Sequence, residues 1–519
     1  MKQYILAHDL GTSGNKATLY LTDGRMAASC VHEYPAYYPA PGWVEQDPED
    51  WWKAVCSSTK ELLEKSGVSA GEIEAVSFSA QMMGCLPVDV QGKSLRPMII
   101  WADTRAGKEE AFMKEQIGLE RGYEITGHRL SASYSAAKLL WIRNHEPQAY
   151  HKCRWMLQAK DYINFRLTGN IVTDYSDASG TNLFDIRKKC WSEEILSALD
   201  IDPSILPDPH PSTDIVGRVT REAAELTGLL EGTPVVIGGG DGSCACAGAG
   251  VVEEGSAYHV LGSSSWISMA SKTPYFDPEL RTFNWVHLDP ELYTPCGTMQ
   301  AAGYSYNWYK RTLCQMETRE AAEALISPYE RINEGVKRSE PGAGGVIYLP
   351  YILGERSPRW DADVRGAFLG MSVTTSKEDL SRAVLEGVSY NLRIILESLK
   401  QGRAINDLRV IGGGAKGEVW LQILADIFQM PLKVPVYLEE ATSLGAAVCA
   451  GVGVGIYPDF SAVKRINPVV REILPQKSLA GRYDKLYTIF NQAYEGLKEV
   501  NQGLGEYRME MEREKGADR

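Results

Sequence analysis

Three short stretches hold the residue types that could handle phosphate. The first is Asp9-Leu10-Gly11-Thr12-Ser13-Gly14, with Lys16 close behind. The second is Gly262-Ser263-Ser264-Ser265. A phosphate needs backbone N–H donors aimed at it and no side chain in the way, and turns of glycine and hydroxyl residues supply this as an anion-binding nest. Two such turns facing each other could clamp one polyphosphate. Asp9 could hold Mg2+ through water, because that ion keeps much of its hydration shell. The third stretch, Gly238-Gly239-Gly240-Asp241, ends an apolar run with a carboxylate. Asp241 could accept a proton from a hydroxyl as that oxygen attacks phosphorus. Plainer readings stand beside these: the turns as ordinary hairpin turns, Asp241 as a helix N-cap. A Walker loop is absent, and no GxGxxG follows the glycine triplet, so neither a P-loop nor a dinucleotide fold is indicated.

The elements around these stretches fall into two kinds. Tyr4–Gly14 and Tyr258–Ser265 each read as a strand, a tight polar turn and a second strand, with Thr18–Leu21 and Trp266–Met269 continuing the two hairpins. Val235–Gly250 and Leu408–Gly414 each read as a strand, a glycine triplet and then a helix. Leu421, Leu424, Ala425 and Phe428 lie on one helical face, and the small residues Ala245, Ala247 and Gly248 permit close packing. The order hairpin, triplet, hairpin, triplet predicts an approximate internal duplication of two α/β domains, 1–252 and 253–519. A long helix is expected from Lys377, with Leu385, Val388, Leu392, Ile395 and Leu399 on one stripe. The charged tail from Gly505 to Arg519 reads as a frayed helix end.

With 519 residues, 44% of them hydrophobic, the chain can bury a sizeable core as two or three domains. A net charge of −13 disfavours nucleic acid or an anionic membrane as a partner of the whole surface. The ten cysteines show no zinc-ligand spacing and suit free thiols in a reducing compartment. No apolar run is long enough to span a bilayer, and the N-terminus does not read as a signal peptide, so a cytoplasmic protein is expected.

Together these motifs resemble the FGGY carbohydrate kinases over nearly the whole chain. Ser133-Tyr134-Ser135-Ala136-Ala137-Lys138-Leu139-Leu140-Trp141 is similar to the first long signature of that family, and Gly366-Ala367-Phe368-Leu369-Gly370 with Ala383-Val384-Leu385-Glu386 to the second. The resemblance implies two ribonuclease H-like domains of the actin/hexokinase type, with a cleft between them. It implies ATP-dependent phosphorylation of a sugar or polyol, with ATP and Mg2+ required and a homodimer as a common state among relatives. By motif, Gly11, Thr12, Ser13 and Lys16 would meet the nucleotide from the first turn, and Gly262, Ser263 and Ser264 from the second. Gly413, Gly414 and Lys416 would form its adenosine side. Asp241 would be the general base; Asp9 and Asp241 would organise the metal through water.

The likeness is greatest to the xylulokinase branch of the family, which has a Gln-Met-His-Gly segment at the sugar and Asn after the base. Here Gln81-Met82-Met83-Gly84 and Asp241-Gly242 stand in those places, so two hydrogen-bonding groups beside the sugar are missing. Gln81, Met82, Met83, Trp101, Asp103 and Asp241 are the expected sugar contacts, although Asp103 could equally pair with Arg105. The sugar is expected mainly on the first domain and the nucleotide mainly on the second. D-xylulose or a related pentulose is the expected substrate; another ketose or polyol, or a non-catalytic ATP-binding regulator on the same fold, are the alternatives.

Overall fold

Tyr4–Leu10 (β1) is apolar because helices and neighbouring strands cover both its faces, and it is buried along most of its length. Gly11 N–H bonds the Gly14 carbonyl at 3.0 Å, closing a tight turn into Gly14–Leu21 (β2). A second turn at Asp23-Gly24 leads to Met26–Glu33 (β3), whose alternating exposure marks a sheet edge. Helix Pro48–Ser66 (α1) starts on an Asp47 side-chain cap and stops at Gly67, where φ is 69°. It covers the sheet before Ile73–Ala80 (β4) enters parallel to β1. In the computed structural model, which describes residues 3–517, the remaining strands of this sheet are Ile215–Arg218 (β5), Pro234–Val236 (β6) and Gly239–Gly240 (β7). The order is β5-β6-β4-β1-β2-β3, with β7 pairing β4 beyond β6. Helix Asp241–Gly248 (α2) follows directly.

The second half repeats this path. Ala257–Leu261 (β8), Ser265–Met269 (β9), Phe283–Val286 (β10) and Tyr293–Met299 (β11) form an antiparallel set in which β9 pairs with β8 and β11, and β10 lies outside β11. Helix Lys377–Lys400 (α3) precedes Leu408–Ile411 (β12), and helix Glu418–Phe428 (α4) precedes Leu432–Pro435 (β13). Helix Ala441–Gly453 (α5) and the edge strand Val469–Ile473 (β14) complete it. The order is β10-β11-β9-β8-β12-β13-β14. In both sheets an antiparallel set is extended by two parallel strands and closed by an antiparallel one. This is the duplicated actin/hexokinase-type arrangement. The expected long helix is present; its whole Leu/Val/Ile stripe is buried, and Ser376 and Asp379 form a capping box at its start. The described part of the tail is the end of a helix, Lys498–Ala517; the last two residues lie outside the described residues.

The two halves share a core. Helix α5 comes from the second half, yet Leu444, Ala446, Ala447 and Val448 pack with Ile5, Ala7, Ala75 and Val236 of the first sheet. Helices α2 and α5 cross at almost bare backbone. A Cβ added to Gly248 would stand 1.7 Å from the Ala441 carbonyl oxygen, and one added to Gly445 would stand 2.0 Å from that of Cys244. Only glycine permits this approach.

Candidate active site

Asp9 lies near the end of β1, in register with Ser79 of β4, whose hydroxyl donates to it at 3.0 Å. Burial raises its carboxyl to about 6, against the Ser79 bond and the charge of Lys16. Strand β7 pairs with the same end of β4, Gly239 with Ser79 and Gly240 with Ala80. Asp241 is therefore delivered to the same edge as Asp9. The glycine triplet is what lets this strand close: at Gly238, where φ is 75°, a Cβ would fall 2.0 Å from the Phe78 carbonyl oxygen. Asp241 is the first residue of α2, and its carboxylate accepts the Gly242 N–H at 2.7 Å. The N-cap position belongs to Gly240 and carries no side-chain cap, so the N-cap reading of Asp241 does not hold and its carboxylate is left for the cleft. The carboxyl is open to cleft water but otherwise enclosed by protein; that enclosure, then the charge of Asp9, push it up to about 7, against the Gly242 bond.

Behind the glycine strand lies a buried network that the sequence did not reveal. Lys160 Nζ lies 2.9 Å from Asp161, 3.1 Å from Asp174 and 3.3 Å from Asp177, all fully or almost fully buried. Asp174 accepts from the Ser176 backbone N–H at 2.9 Å and from the Ser212 hydroxyl at 2.7 Å. The Ser176 hydroxyl in turn accepts the Gly240 N–H at 2.9 Å, one residue before Asp241. These polar residues are scattered from 160 to 240 and match no local pattern.

The first turn is braced from outside. Gln46 Nε2 donates to the Thr12 carbonyl at 2.6 Å, and Trp101 Nε1 to the Thr12 hydroxyl at 2.9 Å. Gln81 donates to Gln46 at 2.6 Å and to the Gly11 carbonyl at 3.5 Å. Gln81 therefore buttresses the turn and does not line the cavity described below. Asp103 is wholly buried; it accepts from Val44 N–H and holds Arg105 at 2.7 Å. The ion-pair reading describes it, and it too is absent from the cavity wall. Lys16 reaches Glu440, at the start of α5, at 3.2 Å.

The second turn separates two cavities. Gly262 N–H bonds the Ser264 carbonyl at 3.1 Å, and Gly303 N–H bonds the Gly262 carbonyl at 3.0 Å. Gly262 and Ser263 line a cavity of about 590 Å3, together with Gly413, Gly414, Lys416 and Trp420. Gly413 to Lys416 form a short turn after β12, and Lys416 pairs with Glu439 at 2.8 Å. Ser264 and Ser265 line a smaller cavity of about 220 Å3, which also takes Asp241, Met82, Met83 and Trp101. Apart from Gly242, its remaining wall comes from the second half, with Trp266, Phe283, Trp285, Cys296 and Arg356 prominent. Sequence spacing gave no sign that these five line a cavity. His8 is a strand residue, bonded to Asn15 at 3.0 Å and lowered to about 4 by burial.

Comparison with known proteins settles the class. Residues 4–248 match the N-terminal domain of the FGGY family of carbohydrate kinases, and residues 257–454 match its C-terminal domain. The chain belongs to the FGGY family. It is 33% identical over 512 residues to a xylulose kinase of Bacillus subtilis, covering 98% of this chain and 99% of that one. The ligand-bound xylulose kinase structure from Lactobacillus acidophilus superposes with a TM-score of 0.90 at 27% identity, covering 96% of this chain and 99% of that one. A gluconate kinase structure from the same organism gives 0.89 at 27% identity, covering 95% and 98%. This FGGY protein is an ATP-dependent carbohydrate kinase of the xylulokinase-like kind. All ten of its cysteines are free, and no helix among the described residues is long and apolar enough to cross a membrane.

Proposed function

We propose that this FGGY kinase transfers a phosphoryl group from ATP to a primary hydroxyl of a ketose, D-xylulose or a related pentulose, with Asp241 as general base. One observation carries the reading: a single glycine–serine turn, Gly262–Ser265, is shared between a large cavity beside the Gly413-Gly414 turn and a small one holding Asp241. A nucleotide in the first would end its phosphates at that turn, and a sugar in the second would meet them from the other side. Transfer then needs little beyond positioning and charge stabilisation. Asp241, poised near neutrality, is suited to orient the acceptor hydroxyl and take its proton. Backbone N–H groups of the two turns would stabilise charge on the transferred group. The residues also fit a hard cation, because Asp9 and Asp241 are two neighbouring carboxylates whose charged forms lack a full set of partners. Mg2+ held there through water would supply further charge neutralisation.

The similarity to xylulose kinases supports the pentulose. Met83 and Gly242 line the sugar cavity without polar side chains, and the Met83 carbonyl is occupied by Lys138 Nζ at 2.7 Å. The sugar edge there must be bound by other groups. Initial rates with ATP across ketopentoses, ketohexoses and polyols test the proposal, with D-xylulose or a close relative expected to have the highest kcat/KM. Asp241→Asn should lower kcat by about 10²–10⁴-fold. Phosphate on no sugar would favour a nucleotide-binding regulator; near-normal turnover by the variant would remove Asp241 from the base role.

A further inference from the structure

Among the residues lining the small cavity, Asp241 and Arg356 alone are charged. Most of the wall between them is aromatic, sulfur-bearing or hydroxyl-bearing. The buried Cys296 thiol feels both charges, in opposite directions, so the two groups flank the same stretch of wall. Arg356 has no ion-pair partner among the described residues. Its chain neighbour Glu355 is engaged elsewhere: its carboxyl accepts Gln300 N–H at 2.9 Å, the Arg356 backbone N–H at 3.0 Å and the Asn391 amide at 3.1 Å. Beside the guanidinium stands the buried Tyr134, whose hydroxyl already bonds His128 at 2.9 Å. Two almost fully buried arginines in this protein are matched by carboxylates, Arg105 to Asp103 at 2.7 Å and Arg382 to Glu386 at 2.6 Å.

We infer that Arg356 reads the end of the substrate remote from the phosphorylated hydroxyl, donating to a carbonyl or carboxylate oxygen there. The inference rests on the kinase reading above and narrows its substrate class to sugars with such an oxygen, excluding simple alditols. The chemistry follows from the donor set. A guanidinium offers a rigid fork of N–H donors and accepts nothing, so it is satisfied best by an oxygen that only accepts. The keto group of a ketose and the carboxylate of an aldonate are such oxygens. An alditol hydroxyl there must also turn its own proton away from the guanidinium to an acceptor elsewhere in the wall, which a carbonyl or carboxylate oxygen need not do.

The test measures kcat and KM for D-xylulose, D-gluconate and xylitol with the wild-type enzyme, Arg356→Gln and Arg356→Lys. The wild type should favour D-xylulose or D-gluconate over xylitol by about 10–10²-fold, the range for a hydrogen bond to a charged group. Preference for D-xylulose assigns the carbonyl as the oxygen read; preference for D-gluconate assigns the carboxylate. Arg356→Gln should remove that preference mainly through KM, with a smaller loss on xylitol than on the preferred substrate, and leave ADP binding unchanged. Arg356→Lys should restore part of it. Xylitol turned over as well as the other two by the wild type would overturn the inference, with no variant needed. So would equal losses on all three substrates in Arg356→Gln. Phosphate on none of the three, with ADP still bound, would instead sink the kinase reading beneath it.

Discussion

The crossing of α2 and α5 makes the sharpest test of how this molecule is held together. Gly248 ends α2, and Asp241 begins it. In Gly248→Ala the new methyl would stand 1.7 Å from the Ala441 carbonyl oxygen and 2.9 Å from the Gly445 nitrogen. Carbon atoms do not approach a carbonyl oxygen closer than about 3.0 Å, so the helices must separate by roughly 1.3 Å. Neither neighbour is a flexible side chain; both are backbone of a helix wedged against the first sheet. Overpacking of this kind costs about 1–3 kcal/mol. The displaced helix also carries the proposed base, and a shift of about 1 Å at the chemistry can lower turnover by about 10²-fold. The larger cavity is formed by other elements, so ADP affinity by calorimetry should change by less than about twofold. A coupled kinase assay and thermal unfolding at matched protein concentration give the two readouts. Gly503→Ala is the control: it makes the same chemical change within helix Lys498–Ala517, where an added Cβ meets nothing within 4 Å. It should be neutral or stabilising by up to about 1 kcal/mol. If Gly248→Ala keeps wild-type turnover and midpoint, the crossing is compliant and the reasoning from backbone contact fails.

Two other perturbations probe the polar interior. Asp241 is raised in the folded protein to about 7 from an ordinary 3.8, so its contribution favours folding below pH 4 and is lost as pH rises through 7. Asp241→Asn should therefore raise the thermal midpoint above pH 7, by an amount that shrinks towards pH 4; a pH-independent difference would show that the carboxyl is not shifted. Lys160→Met would leave Asp161, Asp174 and Asp177 buried without their shared cation, with an expected loss of about 3–5 kcal/mol in denaturant unfolding. A loss below 1 kcal/mol would mean that the three carboxylates are already largely neutral.

What could be read from the chain alone was whatever is settled within a few residues. Gly11 and Gly14 close their own turn, the Gly262 turn is bonded within itself, and the stripe from Leu385 to Leu399 needs only the helical repeat to declare its buried face. The order of those units was enough to predict two duplicated α/β domains, because each turn and triplet recurs in the same sequence of elements in both halves; the ribonuclease H-like fold itself came from the family resemblance. The cavity was a different matter. Met82 and Trp285 stand some two hundred residues apart and meet only because the two sheets face each other across α2 and α5. Nothing adjacent to Arg356 marks it as a cavity residue, and nothing adjacent to Gln81 shows that it turns back to brace Gly11. Asp103 carried two readings in the sequence, and burial beside Arg105 favoured one of them. Backbone turns are determined by local sterics and local hydrogen bonds, so residue types reveal them. The direction of a side chain at a sheet end depends on which distant surface packs over it, and that was decided only when the two halves closed on their shared core.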